Sequence, residues 1–113
     1  MKHSLPKYLE DIRLSIGDIE SYMKGIESSK ELENNQLLFD AVCRRFGIIG
    51  EALYQADKIE SKLHITDKNK IIGLRHIIVH DYDIVRASDI WLIIKNQLPG
   101  LKSEIKAILK KFE

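Results

Sequence analysis

Residues that interrupt helices or cross-link chains are scarce in this sequence. Its 113 residues include six glycines, two prolines and one cysteine, and 7% are aromatic. So few turn-forming residues argue against a β-sandwich or barrel, whose short strands need frequent turns. The single cysteine, Cys43, excludes an intrachain disulfide and a cysteine-based zinc finger, and a lone thiol is typical of a reducing cytoplasm.

An excess of one charge and long apolar runs are also missing. The chain carries 18 Lys and Arg against 17 Asp and Glu, a formal net charge of +1. Any site for a polyanion must therefore be a local patch. No run approaches the ~18 apolar residues of a membrane span, and the N-terminal segment lacks a signal-peptide core. We expect a cytoplasmic protein without a membrane partner, folded as one domain over residues 1–113.

Helical periodicity is what the sequence has in abundance. Polar residues suited to N-caps precede three of the periodic stretches: Ser4, Thr66 or Asp67, and Ser88 or Asp89. The polar segment 27–35 is interpreted as a connector, and Pro99 predicts a kink in the last helix. The pattern predicts an all-α fold, an antiparallel bundle of four to five helices with a kink near Pro99. The predicted helices cover about residues 5–26, 35–60, 68–81 and 89–112.

An arginine interrupts the apolar run of the third predicted helix, in the stretch GLRHIIVHDYD at 73–83. On a helical wheel Arg75 falls between Ile78 and Val79, inside an apolar arc of roughly 220°. A guanidinium keeps its charge in proteins, so Arg75 must meet an anion or reach water. Glu51 on the second helix and a bound phosphate are the two candidate anions.

Two histidines, His76 and His80, lie one turn apart beside this arginine. They fit surface side chains, a metal-binding pair, or an acid/base group, because imidazole titrates near neutral pH. No glutamate sits between them as in a zincin motif, and no third ligand is obvious, Asp81 and Asp83 being possibilities only. The residues by themselves leave the three interpretations open.

A basic pair on the second helix is a further candidate for RNA or phosphate binding. Arg44 lies on the polar strip, where it either extends a cationic cleft or pairs with Asp40 at the i, i+4 spacing. Arg45 falls on an apolar side of the wheel, which suits either the cleft or an interface between two copies. Glu51 is predicted to be a structural partner for one of the arginines.

Three segments in order resemble the HepT-like HEPN ribonuclease toxins. Arg75-x4-His80-x-Tyr82 resembles the RX4HXY motif of that family. With the first helix, the resemblance covers nearly the whole chain. The segments that carry it are DAVCRRFGIIGEAL (40–53), IIGLRHIIVHDY (71–82) and IWLIIKNQLPGLKSEI (90–105), which are similar to the second, the motif-bearing and the last helix of the family.

The resemblance implies a metal-independent endoribonuclease that acts as a homodimer and needs no cofactor. It implies catalytic roles for Arg75 and His80. From their chemistry we assign proton transfer to His80 and phosphate stabilisation to Arg75, during attack by the 2′-hydroxyl of RNA. His76 either orients the phosphate or belongs to the surface only. The resemblance also implies a nucleotidyltransferase antitoxin (MntA-like) that silences the toxin by transferring AMP to Tyr82.

Two other functions stay open at this point. One is a non-catalytic module that binds a substrate or partner for a nucleotidyltransferase, which keeps the fold and the partner. The other is a helical bundle that binds a metal through its histidines.

Overall fold

The computed structural model of the chain describes residues 3–113, so the first two residues of the predicted domain 1–113 lie outside the described part. Within residues 3–113 the chain forms six α-helices, one 3-10 turn (Tyr82–Ile84) and no strand. The all-α bundle predicted from the periodicity is confirmed. The helices are α1 Leu5–Tyr22, α2 Ser29–Glu33, α3 Gln36–Ile59, α4 Lys68–His80, α5 Ala87–Asn96 and α6 Leu98–Lys110.

The longest helix, α3, is the centre of the bundle and packs against both α1 and α4. Asp57 near the end of α3 pairs with Lys68 at the start of α4. Asp40 near the start of α3 meets Tyr82, just beyond the end of α4. The two helices are therefore antiparallel. The core side of α3 consists of Phe39, Val42, Cys43, Phe46, Ile49, Gly50, Ala52, Leu53 and Ala56.

The remaining helices close the bundle around this hairpin. Helix α6 lies against α1, where Lys102 binds Glu20 at 3.0 Å, and α5 lies against α2 and α6. The backbone N–H of Thr66 (3.1 Å) and its hydroxyl (2.8 Å) both donate to Glu104 Oε2 on α6. These bonds tie the loop between α3 and α4 to the body of the bundle. None of the helices formed by residues 3–113 combines the length and the apolar character of a membrane span.

The prediction of a connector at residues 27–35 is wrong, because this segment contains the short helix α2. Ser28 Oγ accepts a hydrogen bond from the backbone N–H of Glu31 (3.2 Å), and the Glu31 carboxylate accepts one from the backbone N–H of Glu27 (2.5 Å). A serine followed three residues later by a glutamate is the signature of a capping box. Leu32, which is fully buried, anchors α2 to the core.

The first helix is shorter than predicted, ending at Tyr22 instead of near residue 26. Gly25 has a φ of 82°, a left-handed conformation that glycine adopts without a steric penalty and that turns the chain away from the helix axis. The caps predicted for α1 and α4 are not formed by side chains. Ser4 and Asp67 occupy the N-cap positions without a cap hydrogen bond, and Thr66 is bonded to Glu104 instead.

The last predicted helix is two helices. Helix α5 ends at Asn96 and α6 begins at Leu98, so the predicted kink near Pro99 is a short break at Gln97. Pro99 has no N–H for an intrahelical bond, whereas the first turn of a new helix tolerates it. Helix α5 starts at Ala87, before both Ser88 and Asp89, so neither caps it as predicted.

Helices α3 and α4 come into backbone contact at Gly50. A Cβ atom at this position would lie 2.3 Å from Cβ of Arg75 and 3.0 Å from the carbonyl oxygen of Ile71. Neither of those atoms belongs to the flexible end of a side chain, so they can move only if α4 moves. Gly50 therefore allows α4 to approach α3 closely enough for the Arg75 stem to lie across α3.

We expect Gly50→Ala to lower the free energy of unfolding by about 1–3 kcal/mol, the usual cost of an overpacked contact. Gly47→Ala is the matched control, because Gly47 lies on the same helix and a Cβ there meets nothing within 4 Å. The control should be neutral or slightly stabilising, since alanine favours helix over glycine. Chemical denaturation followed by circular dichroism measures both variants. Equal stability of Gly50→Ala and the wild type would contradict the tight contact.

Candidate active site around Arg75, His80 and Tyr82

Arg75 is positioned by two neighbouring residues of α3. Its stem packs on Gly50, and its guanidinium Nη2 lies 3.1 Å from Glu51 Oε2. The other carboxylate oxygen of Glu51 accepts a hydrogen bond from Gln55 Nε2 at 3.0 Å. The Arg75 side chain is 32% exposed, so the charge predicted within the apolar arc meets both an anion and water. A guanidinium has five N–H donors, and the Glu51 contact leaves others for a second anion.

A groove of about 380 Å³ runs along the junction of α1, α3 and α4, and Arg75 lines it. Arg44 lies on the same groove, is exposed, and forms no ion pair with another of residues 3–113. The pairing of Arg44 with Asp40 is therefore not seen among these residues. Glu51 and Asp11 also line the groove; Glu51 pairs with Arg75, whereas Asp11 pairs with Lys7 at 2.5 Å. A ligand phosphate can bind the Arg75 donors that Glu51 leaves free, and it meets an open Arg44.

Arg45 points elsewhere, although it is the next residue in the chain. Its Nη1 lies 3.4 Å from Asp18 Oδ2 on α1, and Arg45 does not line the groove that contains Arg44. A surface pair of this kind contributes little to stability, roughly 0–1 kcal/mol. The structure thus separates the basic pair into one open arginine in the groove and one arginine paired on α1.

The two histidines lie together on the outer surface of α4. His76 and His80 are exposed, and their ring centroids are 4.5 Å apart. His80 is five residues from Arg75, which places the two side chains about 140° apart around the helix. Within one copy, Arg75 and His80 therefore do not line the same groove. Val79, 53% exposed, occupies the helix surface between Arg75 and His76.

Tyr82 lies just beyond the end of α4 and is held by residues at the start of α3. Its hydroxyl donates a short hydrogen bond to Asp40 Oδ1, and its ring lies 6.2 Å from the Phe39 ring, centroid to centroid. Burial first, then Asp40 and Cys43, raise the pKa of Tyr82 well above its ordinary value. Tyr82 is nevertheless 38% exposed, so part of its side chain is open to solvent.

Side chains that could bind a metal are not clustered around His76, His80 and Tyr82 within residues 3–113. Among residues 3–113 no group of three or more His, Cys, Asp or Glu side chains is arranged to hold a metal ion. His76 and His80 form a pair of imidazoles without such a third ligand. Their arrangement suits hydrogen bonding to a phosphate group or proton exchange with a substrate.

A family model described as "Ribonuclease HepT-like" matches residues 12–108. The chain belongs to the HepT-like ribonuclease family. The resemblance seen in the sequence and the predicted enzyme class are confirmed at the level of this family.

Three relatives named as ribonucleases match this HepT-like chain over nearly its full length. "Putative RNase MJ1380" of Methanocaldococcus jannaschii is 31% identical over 95% of this chain and 98% of the relative. "Putative RNase MJ1216" of the same organism is 30% identical over 99% and 93%, respectively. "Probable ribonuclease HepT" of Thermococcus cleftensis is 31% identical over 97% and 100%. No solved structure matches the chain.

Two residues at the HepT-like site were not recognised from the sequence. The sequence shows Gly50 only as a glycine within a predicted helix that is apolar on most sides. Its contact with Arg75 depends on how α3 and α4 pack. Asp40 is 42 residues from Tyr82 in the sequence, and no local pattern relates the two. Both roles follow from the antiparallel pairing of α3 and α4.

The thiol of Cys43 offers a direct test of the packing beneath Tyr82. Burial, and secondarily the charge of Asp40, raises the pKa of Cys43 to about 12, whereas the pKa of an unfolded cysteine is ~8.5. We expect iodoacetamide at pH 9 to alkylate native Cys43 at least ~100-fold more slowly than the unfolded chain, because the thiolate is the reactive form. Intact mass follows the reaction.

The same pKa difference sets the sign of a pH effect on stability. The folded state holds the Cys43 proton more tightly, so this contribution to stability is complete below pH ~8.5 and is lost as the pH rises toward 12. Cys43→Ala should remove that part of the alkaline decline. If iodoacetamide alkylates Cys43 of the native protein as fast as that of the unfolded chain, the thiol is not buried as the structure shows it.

Proposed function

We propose that this chain is the toxin of a toxin–antitoxin pair, an endoribonuclease that cleaves RNA without a metal ion. The observation that supports the proposal is the arrangement of the Arg75–Tyr82 segment in a member of the HepT-like ribonuclease family. Arg75 is clamped at a groove by Glu51, and His80 is exposed one and a half turns further along α4. A fixed cation and an accessible imidazole are the two groups that this cleavage reaction needs.

RNA carries its own nucleophile, the 2′-hydroxyl, so the protein has to move protons and stabilise the crowded phosphoryl group. In our proposal His80 exchanges a proton with the reacting oxygens and Arg75 binds the phosphate in the transition state. His76, beside His80, orients the phosphate, and Arg44 extends the cationic side of the groove. The Glu51 contact holds the Arg75 guanidinium in place before the substrate arrives.

The reaction site that we propose is shared by two copies of the chain. Arg75 and His80 lie on different sides of α4, so a two-fold axis next to this helix can bring Arg75 of one copy toward His80 of the other. Val79 is an exposed apolar residue between Arg75 and His76, and a second copy would cover it. Arg45, paired with Asp18 away from the groove, has no assigned part in RNA binding.

Silencing by a nucleotidyltransferase antitoxin (MntA-like) completes the proposal, with Tyr82 as the residue that receives AMP. Tyr82 follows His80 by two residues, and its phenol ring is partly exposed. A nucleotide on its hydroxyl adds bulk and negative charge next to the site, which opposes RNA by steric exclusion and repulsion. The reaction and its regulation require RNA and a nucleoside triphosphate, so we propose that the protein acts in the cytoplasm.

We expect His80→Ala and Arg75→Ala each to lower RNA cleavage by at least ~100-fold, because each removes a group that acts on the transition state. Cleavage by the wild type should continue in excess EDTA and leave 2′,3′-cyclic phosphate ends. His64→Ala is the control, since His64 is exposed in the loop between α3 and α4. Gel analysis of an end-labelled single-stranded RNA measures the rates.

Mixing the two inactive variants tests the sharing of the site. A mixed dimer of Arg75→Ala and His80→Ala subunits keeps one pair of intact groups, Arg75 from one copy and His80 from the other. Recovered cleavage is expected in the mixture, and its absence would place both groups in one copy. If His80→Ala cleaves as fast as the wild type, the catalytic role of His80 is refuted, and if the wild type does not cleave RNA above background, the chain is instead a binding module without catalytic activity.

We expect the chain produced together with its nucleotidyltransferase to gain mass in steps of one AMP. Tyr82→Phe should abolish the gain, because it removes the hydroxyl that forms the new bond, whereas Tyr54→Phe should not. Tyr54 is the matched control, since it is exposed on α3 and lies outside the site. Intact mass spectrometry with peptide mapping is the measurement. AMP on another residue would remove Tyr82 from the proposal.

A further inference from the structure

The carboxylate of Asp40 holds the Tyr82 hydroxyl in position. Asp40 Oδ1 accepts the short hydrogen bond from Tyr82 and a second one, at 2.8 Å, from Gln36 Nε2 on the preceding turn of α3. The Phe39 ring borders the phenol ring of Tyr82 on the same helix. Gln36, Phe39 and Asp40, all in the first turns of α3, thus determine where the phenolic oxygen lies.

The Asp40 carboxylate has no cationic partner among residues 3–113. No Lys or Arg among residues 3–113 forms an ion pair with it, although Arg44 is only one turn further along α3. Both of its hydrogen-bond donors, the Tyr82 hydroxyl and the Gln36 amide, are neutral groups. Asp40 is exposed, so a reagent that approaches Tyr82 from solvent reaches both side chains together.

We propose that Asp40 positions the Tyr82 hydroxyl and accepts its proton when that hydroxyl attacks the α-phosphorus of a nucleoside triphosphate. This inference rests on the proposed modification of Tyr82 and assigns part of its chemistry to the toxin chain itself. The nucleotidyltransferase then supplies the bound triphosphate and its metal, and the acceptor protein supplies both the nucleophile and the base.

The step balances as a single displacement. The bond from Tyr82 Oη to the α-phosphorus forms while the bond from that phosphorus to the bridging oxygen of the β-phosphate breaks. Pyrophosphate leaves with the electron pair of the broken bond, and the phenolic proton moves to Asp40 Oδ1 and from there to solvent. No oxidant or further co-reactant is needed.

The environment of the phenol explains why a base is useful here. Burial, followed by the Asp40 and Cys43 contacts, raises the pKa of Tyr82, so free phenolate is rare at neutral pH. The proton must therefore leave as the oxygen attacks, which is the situation in which a positioned general base accelerates a reaction. The carboxylate that disfavours the free phenolate is also the group that takes the proton during transfer.

Asp40→Asn is the informative change, because asparagine can keep the hydrogen bond through its side-chain oxygen but is not a base. We expect the initial rate of AMP transfer to Tyr82 to fall by ~100-fold or more at saturating ATP and Mg²⁺, within the usual range for loss of a general base. Asp40→Glu, which retains a carboxylate, should recover part of the rate. Asp57→Asn makes the same change at the far end of α3 and should transfer AMP at the wild-type rate. The nucleotidyltransferase is the one used for the mass measurement on Tyr82.

A pH titration gives a readout that does not depend on the nucleotidyltransferase. The tyrosinate absorbance of each protein, minus that of its Tyr82→Phe counterpart, isolates Tyr82 from the other tyrosines. The titratable groups around Tyr82 are Asp40 and Cys43 on α3 and Asp81 and Asp83 beside it in the chain. We expect Asp40→Asn to move the Tyr82 titration to lower pH, because the charge that opposes phenolate formation is gone.

The outcomes separate this inference from the proposed function. If the wild type receives AMP on Tyr82 and Asp40→Asn receives it at the same rate, the role of Asp40 is refuted and the modification stands. If the wild type receives no AMP, the proposed silencing fails and the transfer step assigned to Asp40 fails with it. Slow transfer to Asp40→Asn, with an unchanged thermal melt and a lowered Tyr82 titration, supports the inference.

Discussion

The close contact of α4 with α3 at Gly50 is the constraint on which the rest of the site depends. Without a side chain at Gly50, the stem of Arg75 crosses α3 and its guanidinium reaches Glu51, the next residue on that helix. The same antiparallel pairing carries the end of α4 back to the start of α3, where Tyr82 meets Asp40. The packing of α4 on α3 therefore determines the position of Arg75 and that of Tyr82, the residue proposed to receive AMP.

The sequence predicted the long helices well because their apolar side chains repeat over many turns. The apolar residues of α3 lie on most sides of its helical wheel, which suits its central position between α1 and α4. Helix α2 was missed because its five residues contain too few apolar positions to show a period, and only its Ser-x-x-Glu cap and Leu32 distinguish it from a loop. The helix break at Gln97 was indicated by Pro99, whereas its position two residues earlier depends on local backbone geometry.

The candidate site was less predictable, for a physical reason. The motif residues could be named from their order, and the need of Arg75 for an anion followed from its permanent charge. Which groups meet across helices depends on packing, as the Asp40–Tyr82 bond and the separation of Arg44 from Arg45 show. The helical wheel did indicate that Arg75 and His80 lie on different sides of α4, because they are five residues apart along the helix. A pocket shared by both requires a second copy.

The balance of charge along the groove limits how this protein can hold nucleic acid. Of the two arginines that line the groove, Arg75 is paired with Glu51 and Arg44 forms no ion pair within residues 3–113, and the chain as a whole has a formal net charge of +1. Proteins that grip duplexes through many lysines and arginines gain affinity by releasing condensed counterions, and their binding weakens steeply with ionic strength. A surface with so few unopposed cations gains little binding affinity from counterion release. It suits a flexible single strand whose sugar and base edges supply the remaining contacts, and it disfavours stable non-specific coating of structured RNA.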